Sequence, residues 1–193
     1  SLKPLALDID SVGRFDNSNY IKAGFGSLRT PFVQAGFSFG DGETAGLNIY
    51  AKHVGSDGKR EFQKFSNTNV KLSGYFRSGN NLEWNAGIGM KQERMYKYGY
   101  EPQTLSFSND SLKQNFQTIS ARVGFHNINK TEFGLTYSPE VKIDVFSDDF
   151  KNSESNTVVN LPLQKTLGKE WVINLGVTFD LNRLYPKNKT ALN

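Results

Sequence analysis

The sequence predicts an all-β chain: an antiparallel transmembrane β-barrel with about nine strands visible, part of a larger barrel. Three observations carry this. Apolar and polar residues alternate over segments of roughly 8–15 residues, longer than the ~5–6 of ordinary globular strands. No segment holds a 3.6-residue apolar period, so helix content should be near nil. Long polar connections follow alternate strands, as they do where short periplasmic turns alternate with longer extracellular loops.

Composition permits this reading. The chain has 193 residues, 37% hydrophobic, with 18 Gly, 15 Phe and no Cys. Mean hydropathy is −0.52. No run approaches the roughly 20 apolar residues of a spanning helix, whereas a barrel strand needs only one apolar face. The absence of Cys excludes a disulfide scaffold and a thiolate metal site. A net charge of +4 is too small and too scattered to indicate nucleic acid. Ser1–Asp10 has no basic segment followed by an apolar one, so it does not read as a signal peptide.

Residues 1–19 are irregular and read as an extended lead-in. The strands occupy 20–185, and residues 186–193 read as a loop or the start of a further segment. The first strand is Tyr20–Leu28, with a turn at Arg29-Thr30-Pro31, and the second is Phe32–Phe39. Asp41-Gly42 marks a hairpin, because this pair readily takes positive φ. Thr44–His53 is the third strand, followed by a charged loop over Val54–Asn67. Thr68–Arg77 and Asn81–Met95 form a hairpin around Ser78-Gly79-Asn80, and a second long loop covers Tyr96–Ser111. Gln114–His126 is the sixth strand. Glu132–Val145 is the seventh, with a bend or bulge expected at Pro139, which cannot donate to a ladder. A third polar loop covers Ser147–Ser155, and Asn156–Thr166 contains Pro162.

The ninth strand, Trp171–Leu181, alternates most cleanly. Trp171, Ile173, Leu175, Val177, Phe179 and Leu181 share one face. Its length is about the roughly 9–11 residues that a tilted strand needs to cross a bilayer. An odd strand leaves an open edge, which lipid does not tolerate. An uncounted strand, a partner chain or the rest of the barrel after Asn193 is therefore expected.

The alternation assigns residues to two faces. Lys22, Lys52, Lys71, Arg77, Lys91, Arg122 and Lys142 should face the lumen with Glu83, Glu140 and Asp144. Glu83 should pair with Lys71 or Arg77 across its hairpin. The excess is positive. A water-filled lumen would then favour anions, and a salt-bridged, plugged interior is the competing reading. Trp84 and Trp171 fall on the apolar face beside short turns, and Tyr96, Tyr98 and Tyr100 at the other rim, as two interface girdles require.

Catalytic and metal chemistry find little support. His53 and His126 belong to opposite rims, roughly 30 Å apart, and cannot share a site. His53 beside Asp57 resembles a catalytic pair only weakly. Asp41-Gly42-Glu43 and Asp148-Asp149 offer oxygen ligands, but no D-x-D-x-D-G loop occurs. Gly24-Phe25-Gly26 has no following helix to hold a phosphate. No catalytic residue, metal or cofactor is expected.

The segment Tyr20-Ile21-Lys22-Ala23-Gly24-Phe25-Gly26, followed by Thr30-Pro31, resembles the first barrel hairpin of a group of outer-membrane β-barrel proteins of Bacteroidota, TonB-dependent-receptor-like in description. Phe65-Ser66 to Gly74 and Tyr96–Tyr100 are compatible with it. The resemblance covers about the first hundred residues. Such proteins are longer, so it implies that this is an N-terminal barrel piece. No plug domain or energy-coupling segment is visible, and the chain ends Ala191-Leu192-Asn193 rather than on an aromatic residue.

The expected role is non-enzymatic: transport or surface binding at the bacterial outer membrane. The expected partners are the lipid bilayer, lipopolysaccharide (through the loop from Lys59-Arg60-Glu61 to Lys64) and other outer-membrane subunits, with no nucleic acid. A structural or accessory barrel subunit, and a soluble β-sandwich adhesin, stay open as alternatives.

Overall fold

A computed structural model of the chain describes residues 19–60, 62–97, 104–150, 152–168 and 171–185. Residues 1–18 of the lead-in and 186–193 lie outside them. The strands are β1 (Tyr20–Gly26), β2 (Thr30–Gly40), β3 (Ala45–Ser56), β4 (Phe65–Ser78), β5 (Leu82–Tyr96), β6 (Lys113–Asn127), β7 (Leu135–Tyr137), β8 (Glu140–Asp148), β9 (Ser153–Leu167) and β10 (Trp171–Tyr185). A four-residue helix, α1 (Asn109–Leu112), precedes β6. All ten strands belong to one antiparallel sheet, in the order β1-β2-β3-β4-β5-β6-β8-β9-β10, with β7 paired to β9. Among the described residues β1 and β10 are its two edges, and the sheet does not close on itself.

Burial is inverted relative to a water-soluble sheet. Along β5 the apolar Trp84, Ala86, Ile88 and Met90 are exposed, while Asn85, Gly87 and Gly89 between them are half-buried. The apolar stripe crosses the whole sheet and stays uncovered: Ile21 is 68% exposed on β1, Ile88 54% on β5 and Leu181 67% on β10. Leu112 is the buried hydrophobic residue among those described. Among the described residues no second sheet packs on this one, so alternation here does not build the interior that it builds in a sandwich.

The first turn differs from expectation. β1 stops at Gly26, and Ser27-Leu28-Arg29 forms the loop, with Leu28 at φ 63° and Arg29 at φ 51°. Thr30 and Pro31 open β2 instead of turning the chain, with Pro31 opposite Phe25. Proline is tolerated there because it lies at a strand start. Thr30 Oγ1 donates to the Ser27 carbonyl at 2.6 Å and holds the loop shut.

The break expected at Pro139 is present, and it divides the seventh strand into β7 and β8. Both halves pair with β9 in one register, Tyr137 opposite Leu163 and Glu140 opposite Asn160. Ser138 therefore faces Pro162, and Pro139 faces Leu161. The Ser138 N–H reaches the Pro162 carbonyl at 3.3 Å, but Pro162 has no N–H to return. On the other side the Phe125 N–H reaches the Pro139 carbonyl at 3.1 Å, and Pro139 likewise returns nothing. Each proline removes one bond from a neighbouring ladder at the same level.

Asn127 repairs the ladder beyond that point. The β6–β8 register would set it opposite Tyr137. Its Oδ1 accepts from the Tyr137 N–H at 2.8 Å, and its Nδ2 donates to the carbonyls of Leu135 at 2.9 Å and Asn129 at 2.8 Å. The side chain is buried and stands in for a strand backbone. Asn81, in the β4–β5 turn, accepts from the Asn129 N–H and donates to the Asn129 carbonyl, both at 2.8 Å. Two short turns are thereby tied together.

The third long loop is a correction. β8 runs to Asp148 and β9 starts at Ser153, so four residues, 149–152, connect them. The polar Ser153, Glu154 and Ser155 predict loop, yet they pair with Tyr185, Leu184 and Arg183 of an equally long β10. Asp148 closes this turn by accepting from the Asn152 N–H and Nδ2, each at 2.9 Å. Two long connections remain at that end, 57–64 and 97–112, and the turn 128–134 at the opposite end exceeds 149–152. The contrast in loop length is weaker than the sequence suggested.

Candidate functional site

The polar face of the sheet is where chemistry gathers. The registers put all ten charged residues read as lumenal on one face: Lys22, Lys52, Lys71, Arg77, Glu83, Lys91, Arg122, Glu140, Lys142 and Asp144. One cross-strand row runs Lys22, Gln34, Lys52, Asn69, Lys91, Thr118. Lysines and amides alternate along it. With strands about 4.8 Å apart, successive lysines start about 10 Å from each other, too far to repel strongly through water. A second row runs Tyr50, Lys71, Gly89, Ser120, Asp144, Asn156.

Some of this charge is spent structurally. Arg77 Nε donates to Glu83 Oε2 at 2.6 Å, which decides the expected hairpin pairing in favour of Arg77. His126 Nε2 lies 3.8 Å from the other Glu83 oxygen. Lys91 pairs with Glu93 at 2.9 Å, and Lys142 with Asp144 at 2.8 Å. Asp144 also accepts from Ser120 Oγ at 2.6 Å. Lys22 lies over the Tyr20 ring at 5.2 Å and Lys52 over Phe32 at 5.9 Å. Lys71 and Arg122 make no ion pair among the described residues.

Glycines keep the face low. The Tyr20 and Tyr75 rings lie on Gly36 and Gly46, their cross-strand partners, where a Cβ would collide with the ring. An aromatic ring here covers the backbone that glycine leaves bare. Where the two prolines interrupt pairing, a hollow of about 440 Å³ opens beside Gly124, Pro139 and Pro162.

The aromatic residues read as interface anchors lie on the other face. Trp171 is 74% exposed, and Trp84 packs on Phe125 at 4.7 Å between ring centres. Tyr96 is on the same face of β5, twelve residues further along. That is about 40 Å of strand. Tyr98 and Tyr100 lie outside the described residues.

The histidines stay apart. His53 meets Thr68 Oγ1 at 2.8 Å, while His126 sits beside Glu83. The registers put them on opposite faces, nine residues apart along the strand direction. Asp57 pairs with Lys64 at 3.2 Å and Arg29 at 3.6 Å, away from His53. Among the described residues no cluster of three metal-ligating side chains occurs. Asp41 Oδ1 accepts the N–H groups of Glu43, Thr44 and Ala45, so this carboxylate serves the turn.

Sequence reasoning missed the Asn81–Asn127–Asn129 network, because an asparagine at a strand end reads as a turn residue. It also missed the polar ladder joining β9 to β10. There Asn156 donates to Asp180, Gln164 to Asn174 and Asn182 to Glu154, and Thr178 donates to Asn160, all at 2.9–3.0 Å. Comparison with protein-family models, curated proteins and solved structures finds no match to the chain.

Proposed function

We propose that the chain is part of a non-enzymatic outer-membrane β-barrel of the TonB-dependent-receptor-like group of Bacteroidota, with a role in transport or surface binding. Its apolar face meets lipid, and its charged face borders water. The observation that carries this is the inverted burial along β5: an uncovered apolar face with Trp84 at 43% and Ile88 at 54% exposure, against half-buried Asn85, Gly87 and Gly89 on the polar face. Exposing this much contiguous apolar surface to water is unfavourable, whereas hydrocarbon satisfies it. In such a barrel the cationic excess from Lys22 to Arg122 favours anions. Lipopolysaccharide is the proposed partner of the basic 57–64 connection.

Detergent dependence tests the membrane assignment. The chain should be monodisperse only with detergent, and a monodisperse sample without it overturns the assignment. Planar-bilayer conductance with an anion-selective reversal potential tests the transport role, and a silent, inserted protein counts against it. Among the described residues the outer edges of β1 and β10 are unpaired, which favours one companion reading, a barrel completed by further strands or by another outer-membrane subunit. The stoichiometry of the detergent complex, measured by light scattering, distinguishes the two.

A further inference from the structure

We infer that the polar face carries a binding site for a small polyvalent oxyanion, a diphosphate or a di- or tricarboxylate, in a glycine-floored hollow at the centre of β4, β5, β6 and β8. The inference rests on the reading of that face as water-filled. The hollow measures about 490 Å³ and is bordered by Lys71, Lys91, Arg122 and Lys142. Its floor is β5, where Gly87 and Gly89 present no side chain.

The geometry turns these cations inward. Gly89 is the cross-strand partner of Lys71 on β4, and Gly87 is the partner of Arg122 on β6. Lys71 Cγ lies 3.6 Å from where a Cβ on Gly89 would sit, and Arg122 Nε lies 3.2 Å from that point on Gly87. Both stems therefore lean over β5 from opposite sides. Their backbones are two strands apart, about 10 Å, so the charged ends converge on one space. A side chain at 87 would press on the Arg122 stem, and a large one at 87 or 89 would fill the floor.

The surrounding ion pairs leave a specific remainder. Lys91 and Lys142 each have a carboxylate on their own strand, Glu93 and Asp144. Lys71 and Arg122 have none among the described residues. Two uncompensated cations flanking an open floor suit a ligand with at least two negative groups, and the guanidinium offers the forked geometry that carboxylate and phosphate accept. Thr118 adds a hydroxyl on the β6 side, while the Ser120 hydroxyl is held by Asp144.

Titration calorimetry of the full chain in detergent with inorganic pyrophosphate tests this, at constant ionic strength set by sodium chloride. Saturable binding is expected. It should weaken at least tenfold in Lys71→Gln/Arg122→Gln and in Gly87→Leu, which keeps every charge but fills the floor. Lys130→Gln, which removes one positive charge at a turn away from the hollow, should stay within about twofold of the parent. Absence of saturable binding overturns the site, as does equal weakening in Lys130→Gln or full binding by Gly87→Leu. The two readings fail separately. A detergent-dependent chain that ignores pyrophosphate loses the site and keeps the barrel. A detergent-independent chain whose binding needs Arg122 loses the barrel and keeps the site.

Discussion

The two halves of the sheet share one apolar face but differ on the polar one. On β1–β6 that face carries six cations (Lys22, Lys52, Lys71, Arg77, Lys91, Arg122) against Glu83 and Glu93, a net of +4. On β8–β10 it carries Lys142 against Glu140, Asp144, Asp148, Glu154 and Asp180, a net of −4. The basic half leaves Lys71 and Arg122 uncompensated among the described residues. The acidic half ties Asp180, Glu154, Asn160 and Asn174 into cross-strand hydrogen bonds. One half offers charge to a ligand, and the other uses its polar groups to hold strands together. A barrel lined by both would have a potential that varies across the lumen, not only along it.

If the difference is confined to the polar face, a charge on the apolar face must cost the same in either half. Ile88→Lys in the basic half and Leu175→Lys in the acidic half should each destabilise the lipid-embedded protein by about 2–4 kcal/mol, the cost of a lysine at the bilayer midplane. Denaturant unfolding from lipid vesicles measures it. A neutral result at either position would mean that this part of the sheet faces water or a partner.

The seam between the halves should be the next most sensitive place. Asn127→Ala removes the side chain that accepts from the Tyr137 N–H beyond the proline break, and leaves the Leu135 carbonyl with the Thr131 N–H alone. Leaving a buried N–H unpaired costs about 1–3 kcal/mol. Asn129→Ala should cost less, because its two bonds with Asn81 through the backbone survive. Equal losses would show that Asn127 acts only within its turn.

Charge exchange sharpens the contrast further. Neutralising Lys71 and Arg122 together should lower the anion preference of the conductance. Neutralising Asp144 and Asp180 should raise it. Reversal potentials across a salt gradient report both signs. Shifts in the same direction would mean that net charge alone matters, and that the division between halves has no consequence for permeation.

The strands were legible because period-two alternation survives whichever side the solvent is on. Nine of them can be read from Tyr20 to Leu181, and Pro139 marks its own break. What alternation cannot carry is where pairing stops. Ser153–Ser155 and Asn182–Tyr185 lie beyond the apolar band, so their strand character rests on backbone bonds that leave no hydropathic trace. The turn at Leu28-Arg29 hid for a related reason, since neither residue is one that usually accepts positive φ. The charged face was readable residue by residue. Its division into halves was not, because opposition of Lys71 to Gly89 and of Arg122 to Gly87 depends on register across three strands. Sequence order alone does not fix that register.

The smallest expected effect compares two carboxylates that do similar work in opposite halves. Asp41 closes the β2–β3 turn with backbone N–H groups, while Asp148 closes the β8–β9 turn through Asn152. Hydrogen bonds from the N–H groups of Ala45, Thr44 and Glu43 hold the Asp41 carboxyl well below the usual carboxylate range. Its folded value lies below its unfolded one, so the charged form stabilises the turn at every pH above the ordinary value of about 4. That contribution fades as pH falls below this value towards the folded one. Asp41→Asn keeps an acceptor oxygen and loses the charge. The parent should therefore unfold at higher denaturant than Asp41→Asn at pH 7, and the gap should narrow below about pH 4. A gap that widens on acidification would mean that the carboxylate is held by something other than these three N–H groups.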